Sequence, residues 1–399
     1  MTFARFPIAT PIASLNMPVP VPSSSNVPTV GINGFGRIGR ALFRLGLVRD
    51  DINVVAVNHT ALSMEHLLTA IRHDSTHGPC PSAWEITVAP SDHPSLLPPT
   101  ENNPTPSALL YRGRVIHLFS QRDASRLDWS SAGADYVMES TGKMTTQEKA
   151  GAHIKVGKAK KVIISAPSKD VPNVVYGVNH TTYTGKEDIL SNASCTTNCL
   201  APIALVLQRS FGIETGMMTT IHASTSSQKV LDGFSTKDIR QAHSLGRSAM
   251  GNIIPATTGA AQAVVKVLPE LAGKFHGISI RVPVTNVSLV DLTVTLSTPV
   301  PNKEALITPF RLAAQRSPSR STSEAEPSPV PSLAGVMAVS DEKLVSSDYL
   351  SALQSSIVDA DASVMLNETT AKIVAWYDNE VGFASRMCDL VAYMANCEA

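Results

Sequence analysis

Thr29-Val30-Gly31-Ile32-Asn33-Gly34-Phe35-Gly36-Arg37-Ile38-Gly39-Arg40 begins as a short apolar strand and ends in a GxGxxG turn, after which Ala41 to Val48 is patterned as a helix. Glycines at these spacings let the backbone approach a pyrophosphate lying on the N-terminus of the following helix. A GxGxxG alone is a weak signal. Here Ile52 to Val57 supplies a second strand, which completes the βαβ unit of a doubly wound, Rossmann-type α/β sheet. Asn33, Gly34, Phe35, Gly36, Arg37, Ile38 and Gly39 are therefore the candidate contacts to a dinucleotide. About twenty residues beyond the glycines such a unit offers an acid to the adenosine ribose, and this chain offers Asn58-His59. Without a carboxylate there a 2′-phosphate meets no repulsion, and a protonated His59 attracts one. NAD is the expected cofactor and NADP becomes a second option, the alternative being that Asn58 and backbone groups still hold NAD with lower discrimination.

The chain has 399 residues, long enough for two domains with their own cores. Lys plus Arg equals Asp plus Glu at 33 each, so no global field points to nucleic acid or to an anionic membrane. Apolar runs are broken by charge, Gly or Pro within about ten residues, too short to span a bilayer. The five cysteines, at 80, 195, 199, 388 and 397, show no framework spacing, which suits a reducing, cytoplasmic setting. Cys195 and Cys199 alone make a poor zinc site, so no metal is expected.

A second stretch carries the chemistry. Ser191-Asn192-Ala193-Ser194-Cys195-Thr196-Thr197-Asn198-Cys199-Leu200-Ala201-Pro202 sets a cysteine after turn formers and before the apolar, helical run Pro202 to Leu207. Cys195 then lies near a helix N-terminus, where orphan N–H groups and the positive dipole end favour a thiolate. Thr196, Thr197 and Asn198 suit the first turn. Taken alone, such a cysteine also fits a small buried hydrophobe. Gly216 to Thr225 reads as a strand bearing His222 near its end, within reach as a base for Cys195. Ser140 and Thr141 close the strand from Asp135, where a doubly wound sheet holds its cofactor. Thr258 opens a helical pattern and offers a hydroxyl to phosphate. Arg281, before Val282-Pro283, is either an edge residue or a bidentate anion ligand.

The string around Cys195 resembles the active-site signature of the phosphorylating glyceraldehyde-3-phosphate dehydrogenases, and further motifs follow in that family's order. Arg72 to Gly78 is similar to its Tyr-Asp-Ser-Thr-His-Gly, and Thr219 to Ala223 to its Thr-Thr-x-His-Ala. Lys237 to Arg240, Arg247 to Pro255, Ala256 to Ala261 and Lys372 to Phe383 resemble further family segments. The resemblance implies that Cys195 forms a thiohemiacetal and then a thioester, with His222 as base. It also implies hydride transfer to NAD, Asn379 holding the nicotinamide amide, and release of 1,3-bisphosphoglycerate by inorganic phosphate. Ser194, Thr196, Thr258 and Arg247 would hold that phosphate, while Thr225 and Arg281 grip the phosphate of glyceraldehyde 3-phosphate. A homotetramer and a place in glycolysis are implied as well. Erythrose-4-phosphate dehydrogenase and a non-catalytic regulatory paralogue are the alternatives, and an inhibitor-resistant secondary isoform is a further expectation.

The chain departs from the pattern at His59 for an aspartate, Gln262 for a lysine, Phe383 for a tyrosine, and a lengthened loop between Arg240 and Arg247. The domain organisation read from these segments begins with a disordered tail at 1–26. A cofactor domain follows at 27–194, completed by a C-terminal helix at 379–399, and an α+β catalytic domain with an antiparallel sheet occupies 195–378. Low-complexity insertions fall at about 90–106, as a decorated surface hairpin, and 317–331.

Overall fold

A computed structural model of the chain describes residues 27–233, 246–315 and 330–398. The tail at 1–26, the loop residues 234–245 that include Arg240, and the insertion at 317–331 apart from Val330 and Pro331 lie outside the described residues. The chain divides into two compact units. Among the described residues one comprises 27–174, His180–Ala193 and 384–398, the other Val175–Asn179 and Ser194–Phe383.

The first unit is built on an eight-stranded sheet in the order β3-β4-β5-β2-β1-β6-β7-β8. Its strands are β1 (Thr29–Asn33), β2 (Asn53–Asn58), β3 (Thr87–Val88), β4 (Ser107–Tyr111), β5 (Arg114–Phe119), β6 (Tyr136–Glu139), β7 (Lys161–Ile164) and β8 (Ile189–Ser191). From β5 across to β8 the pairing is parallel. Parallel strands covered on both faces read as continuous apolar runs, and Val30 to Asn33 are all buried. The helices α1 (Arg37–Val48) and α2 (Met64–Arg72) follow β1 and β2, as a doubly wound fold requires. Between β6 and β7 the chain forms two short helices, α3 (Gln147–Ala150) and α4 (Ala152–Lys155), interrupted at Gly151. The insertion at 90–106 joins the antiparallel strands β3 and β4, as the expected hairpin. It also packs Leu97 against the core around Phe119 and Trp129, so one apolar residue in a Pro-rich loop is enough to dock it.

The second unit carries a seven-stranded sheet, β10-β11-β9-β12-β15-β14-β13. These are β9 (Ile213–His222), β10 (Ile254–Thr257), β11 (Phe275–Arg281), β12 (Ser288–Leu296), β13 (Met337–Ser340), β14 (Ser356–Met365) and β15 (Thr370–Tyr377). The sheet is mixed rather than purely antiparallel, because β11 runs parallel to β9 and β13 parallel to β14. A helix, α6 (Ala260–Val267), lies between β10 and β11, while α7 (Lys303–Gln315) follows β12. The helix α5 (Cys195–Phe211) packs across β9, β12, β14 and β15. Leu200, Ile203 and Leu207 on it are fully buried, each worth about 1.5–3 kcal/mol of apolar burial. That packing holds α5 together although Pro202 removes one of its backbone hydrogen bonds. The last helix, α8 (Val381–Glu398), ends in Glu398, which accepts hydrogen bonds from the phenols of Tyr136 (2.7 Å) and Tyr183.

The glycine turn is set by contact as well as by conformation. Gly34 has φ +95°, and a Cβ on Gly39 would lie 1.9 Å from the Gly34 carbonyl oxygen. Because that neighbour is backbone, Gly39→Ala must push the turn off α1. We expect it to lower stability by about 1–3 kcal/mol and to weaken cofactor binding, read from the urea midpoint and from fluorescence titration with the dinucleotide.

Candidate active site

The turn from β8 into α5 is made by Ala193 in the left-handed region at φ +55°. Ser194 then caps the helix, its Oγ accepting the Thr197 N–H at 3.0 Å, which satisfies one orphan donor and leaves Cys195 as the first helical residue. The strand β9 ends at His222, and Cys195 Sγ lies 3.5 Å from His222 Nε2. Tyr377 of β15 joins the two elements, its buried hydroxyl 2.8 Å from Thr196 Oγ1 and 2.9 Å from Thr220 Oγ1. Arg281, at the end of β11, approaches the other side of the imidazole, with Nη1 2.7 Å from His222 Nδ1 and 3.0 Å from the Ala223 carbonyl oxygen.

Electrostatically, burial disfavours charge on both the sulfur and the imidazole. Burial, reinforced by the neighbouring Arg281 charge, pushes His222 down to about 4. Burial also pushes the Cys195 thiol up, against the pull of Arg281 and the Thr196 N–H. The sequence pointed the other way, toward a thiolate favoured by the helix N-terminus. That dipole is worth about 0.3–1 kcal/mol at an exposed end, less than one pKa unit at 1.36 kcal/mol, so it does not offset desolvation.

The first unit holds the dinucleotide candidates. Gly36 caps α1 with no side-chain cap, and a Cβ there would meet nothing within 4 Å. This leaves an open cradle at a helix N-terminus, which fits a pyrophosphate. Asn33 and Asn58 are buried and build the turn from below. Asn58 Nδ2 donates to Asn33 Oδ1 (2.7 Å), and Asn33 Nδ2 donates to Glu139 Oε2 (2.6 Å). Glu139 also accepts from the Thr141 N–H at 2.7 Å and from His153 Nε2 at 3.0 Å, so Thr141 is fixed beside Gly34. Arg37 is engaged with Asp74, while Phe35 and Ile38 flank the turn. The Ser140 N–H donates to the Asn33 carbonyl oxygen at 2.7 Å. His59 Nδ1 accepts the Ala61 N–H at 3.1 Å, and burial holds its pKa below the usual imidazole range.

Comparison with known proteins identifies the family. The family model described as the glyceraldehyde 3-phosphate dehydrogenase NAD binding domain matches residues 28–147, and the C-terminal domain of the same family matches 194–379. The chain is 47% identical over 370 residues to the glyceraldehyde-3-phosphate dehydrogenase of Ogataea parapolymorpha, covering 93% of this chain and 99% of that one. It is 45% identical to glyceraldehyde-3-phosphate dehydrogenase 1 of Schizosaccharomyces pombe, covering 92% and 98%. The chain belongs to the glyceraldehyde-3-phosphate dehydrogenase family. A cytosolic member from Craterostigma plantagineum is 46% identical, covering 92% and 98% of the two chains. A chloroplastic one from Arabidopsis thaliana is 45% identical, covering 94% and 79%.

The remaining family positions are placed unequally. Thr225 sits in the loop after β9, tied toward the β11 end where the Ser224 N–H donates to the Val284 carbonyl oxygen at 3.0 Å. Thr258 accepts the Ala260 N–H at 3.1 Å at the start of α6. Arg247 pairs with exposed Asp232 at 2.9 Å and makes no contact with the Cys195 cluster among the described residues. Asn379 Oδ1 accepts from the Ser288 hydroxyl at 2.9 Å, and Ser288 Oγ accepts the Ala223 N–H at 3.0 Å. Ser288, Thr220, Glu139 and His153 are positioning residues that sequence reading passed over. A buried glutamate in β6 was the one available signal.

The unfolded-state histidine titrates near 6.5 and His222 in the fold near 4. Between those values the unfolded chain binds more protons, so stability is intact above about pH 6.5 and falls as pH drops toward 4. We expect the change from pH 7 to pH 5 to cost about 2 kcal/mol through this group. Urea unfolding at the two pH values should show that component in the wild type and its loss in His222→Gln; equal pH slopes would contradict the burial argument.

Proposed function

We propose that the chain oxidises glyceraldehyde 3-phosphate through the Cys195–His222 pair, and the 3.5 Å separation of sulfur and Nε2 is the observation that carries this reading. Cys195 is the nucleophile that adds to the aldehyde carbon, and His222 takes the proton and steadies the oxygen that gains charge. The Cys195 N–H at the head of α5 is a second donor to that oxygen. Oxidation of the resulting thiohemiacetal leaves an acyl thioester on Sγ. Inorganic phosphate attacks it, the C–S bond breaks, and 1,3-bisphosphoglycerate departs with the thiolate restored. NAD, when bound on the Gly34–Gly39 turn, supplies the hydride acceptor. The backbone of that turn and Thr141 are the groups of the first unit that hold it.

Arg281 and Thr225 bind the substrate phosphate, while Ser194, Thr196 and Thr258 serve the attacking phosphate. Tyr377 engages the Thr196 hydroxyl, so the group Thr196 offers is its backbone N–H. Arg247 serves there only if it leaves Asp232. The cofactor domain read from the sequence spans 27–194 with the last helix, and the catalytic domain lies between. We further propose a homotetramer working in the cytoplasm, as the cytosolic relatives are named. Val230, Leu231, Met250 and Ile253 are all more than 60% exposed on segments flanking the lengthened loop, an apolar area suited to further copies of the chain. No helix among the described residues is long and apolar enough to cross a membrane.

Cys195→Ala should lower kcat by at least about 10⁴-fold while leaving NAD binding unchanged by fluorescence titration. Appreciable turnover in that variant, assayed with glyceraldehyde 3-phosphate and phosphate, would falsify the assignment. The second reading concerns NADP. His59 leaves no carboxylate to repel a 2′-phosphate, so NADP is accepted alongside NAD. Restoring the acid in His59→Asp should raise the NAD-over-NADP ratio of kcat/KM by about tenfold or more, the equivalent of about 1.4 kcal/mol; an unchanged ratio would remove His59 from cofactor selection.

A further inference from the structure

The Pro-rich insertion between β3 and β4 is fixed at its base, its middle and its tip. The Ala89 N–H donates to the Ala108 carbonyl oxygen at 3.0 Å, which closes the hairpin below it. Leu97 packs onto the core around Ala56, Phe119 and Trp129. At the tip, Thr100 and Asn103 exchange backbone hydrogen bonds of 3.0 and 3.1 Å, and the Asn103 N–H also reaches Thr100 Oγ1 at 3.0 Å. That turn presents Asn102 to the segment leaving β5. The Asn102 carbonyl oxygen accepts from Gln121 Nε2, and its Oδ1 accepts from Arg126 Nε at 2.9 Å. A composition of this kind builds no core of its own, so the fixed shape comes from what the insertion grips.

The gripped segment is itself joined to the cofactor turn. The Gln121 N–H donates to Asn58 Oδ1 and Asn58 Nδ2 donates to the Gln121 carbonyl oxygen, both at 2.8 Å. The second hydrogen of the same Nδ2 goes to Asn33 Oδ1 at 2.7 Å. Both partners of Nδ2 are oxygens and the partner of Oδ1 is an N–H, so the Asn58 amide is held in one orientation. Its backbone carbonyl oxygen receives the Gly34 N–H at 3.1 Å. A continuous line of hydrogen bonds therefore runs from the insertion through Gln121 and Asn58 to Asn33 and Gly34, all within the first unit. It passes the end of β2, the place where a doubly wound unit meets the adenosine ribose. Bonds in such a chain polarise one another, so loosening one end weakens the rest.

We propose that the 90–106 insertion is a brace for the adenosine half of the dinucleotide: by holding Gln121 it keeps Asn58 and the glycine turn in the geometry that receives the adenine nucleotide, before that nucleotide arrives. The inference rests on the reading of the Gly34–Gly39 turn as the NAD site. The contribution is one of pre-organisation, because a segment already ordered adds no ordering cost when the ligand binds. Asn102 and Gln121 are positioning residues that act through Asn58. The insertion thus sets cofactor affinity from outside the cradle, and changes in it tune that affinity while every residue of the glycine turn stays the same.

The test uses the full chain and two variants of it. In one, residues 91–106 are replaced by a short turn, which the Ala89–Ala108 pairing leaves in place to close. In the other, Gln121→Met keeps the length of the side chain and removes its Nε2 donor. The probe is ADP-ribose, which carries the adenosine and pyrophosphate of the cofactor without the nicotinamide, titrated by calorimetry. Both variants should bind it at least about fivefold more weakly than the wild type, the equivalent of about 1 kcal/mol. Hydrogen exchange read by mass spectrometry adds a measure that a merely structural loop would leave still: peptides over 30–36 should lose protection in both variants, although the line of bonds reaches them only through Asn58. Alkylation of Cys195 by iodoacetamide at the wild-type rate shows that the second unit is intact. Wild-type affinity for ADP-ribose in either folded variant would overturn the brace, as would a loss of protection confined to 88–126. Should the shortened chain not fold, Gln121→Met decides alone. A wild type that binds no ADP-ribose would instead remove the NAD reading of the turn, and the brace with it.

Discussion

The hydroxyl of Tyr377 is the constraint on which the catalytic unit depends. It is buried, and it bonds Thr196 at the head of α5 and Thr220 near the end of β9, so the cysteine helix and the histidine strand cannot shift independently. A buried phenol left unpaired would cost about 1–3 kcal/mol, which makes both contacts worth keeping. The register of the sheet enforces the same geometry. With β12 paired antiparallel to both β9 and β15, Ser288 falls where its oxygen meets the Ala223 N–H and its hydrogen meets Asn379. Sulfur, imidazole and the Asn379 amide are thus set by one block of hydrogen bonds, the arrangement that lets a site act without reorganising.

The glycine turn of the other unit is built on the same logic with different groups. Glu139 is surrounded by donors: Asn33, the Thr141 N–H and hydroxyl, and His153. The Trp129 indole donates to His153 Nδ1 at 3.0 Å, so the ring hydrogen lies on Nε2 and points at the carboxylate. A buried carboxylate is tolerated only when its lone pairs are met in this way. Its structural consequence is that the ends of β1 and β6, and with them Gly34 and Thr141, are held in register beneath the cradle.

These facts explain what the sequence disclosed and what it withheld. The strand, glycine turn and helix at 29–48 are local, and their apolar pattern and spacing are readable because each residue answers to neighbours a few positions away. Cys195 at a helix start was readable for the same reason: Ser194, Thr197 and Asn198 satisfy that turn from within it. Tyr377 and Thr220, 157 residues apart, meet only through sheet pairing, and no local pattern announces such a contact. The mixed pairing of β11 with β9 escaped the same way, since an alternating apolar strand looks alike whichever direction its partner runs. His59 marks a subtler limit. Its presence was plain, but the burial that lowers its pKa comes from the packed fold and no local pattern shows it.

Burial is therefore the term that separates this site from a simple reading of its motifs. The dipole of α5 and the Arg281 charge both favour a thiolate, yet each is modest beside the cost of holding an ion away from water. Arg281 meanwhile disfavours the imidazolium that must form beside that thiolate. One cation thus acts in opposite directions on the two members of the pair, and it touches the histidine directly. A neutralised or displaced guanidinium therefore raises the thiol and the imidazole together, so its charge alone does not select between the neutral pair and the ion pair. In this chain the same guanidinium acts on the electrostatics of both members of the pair.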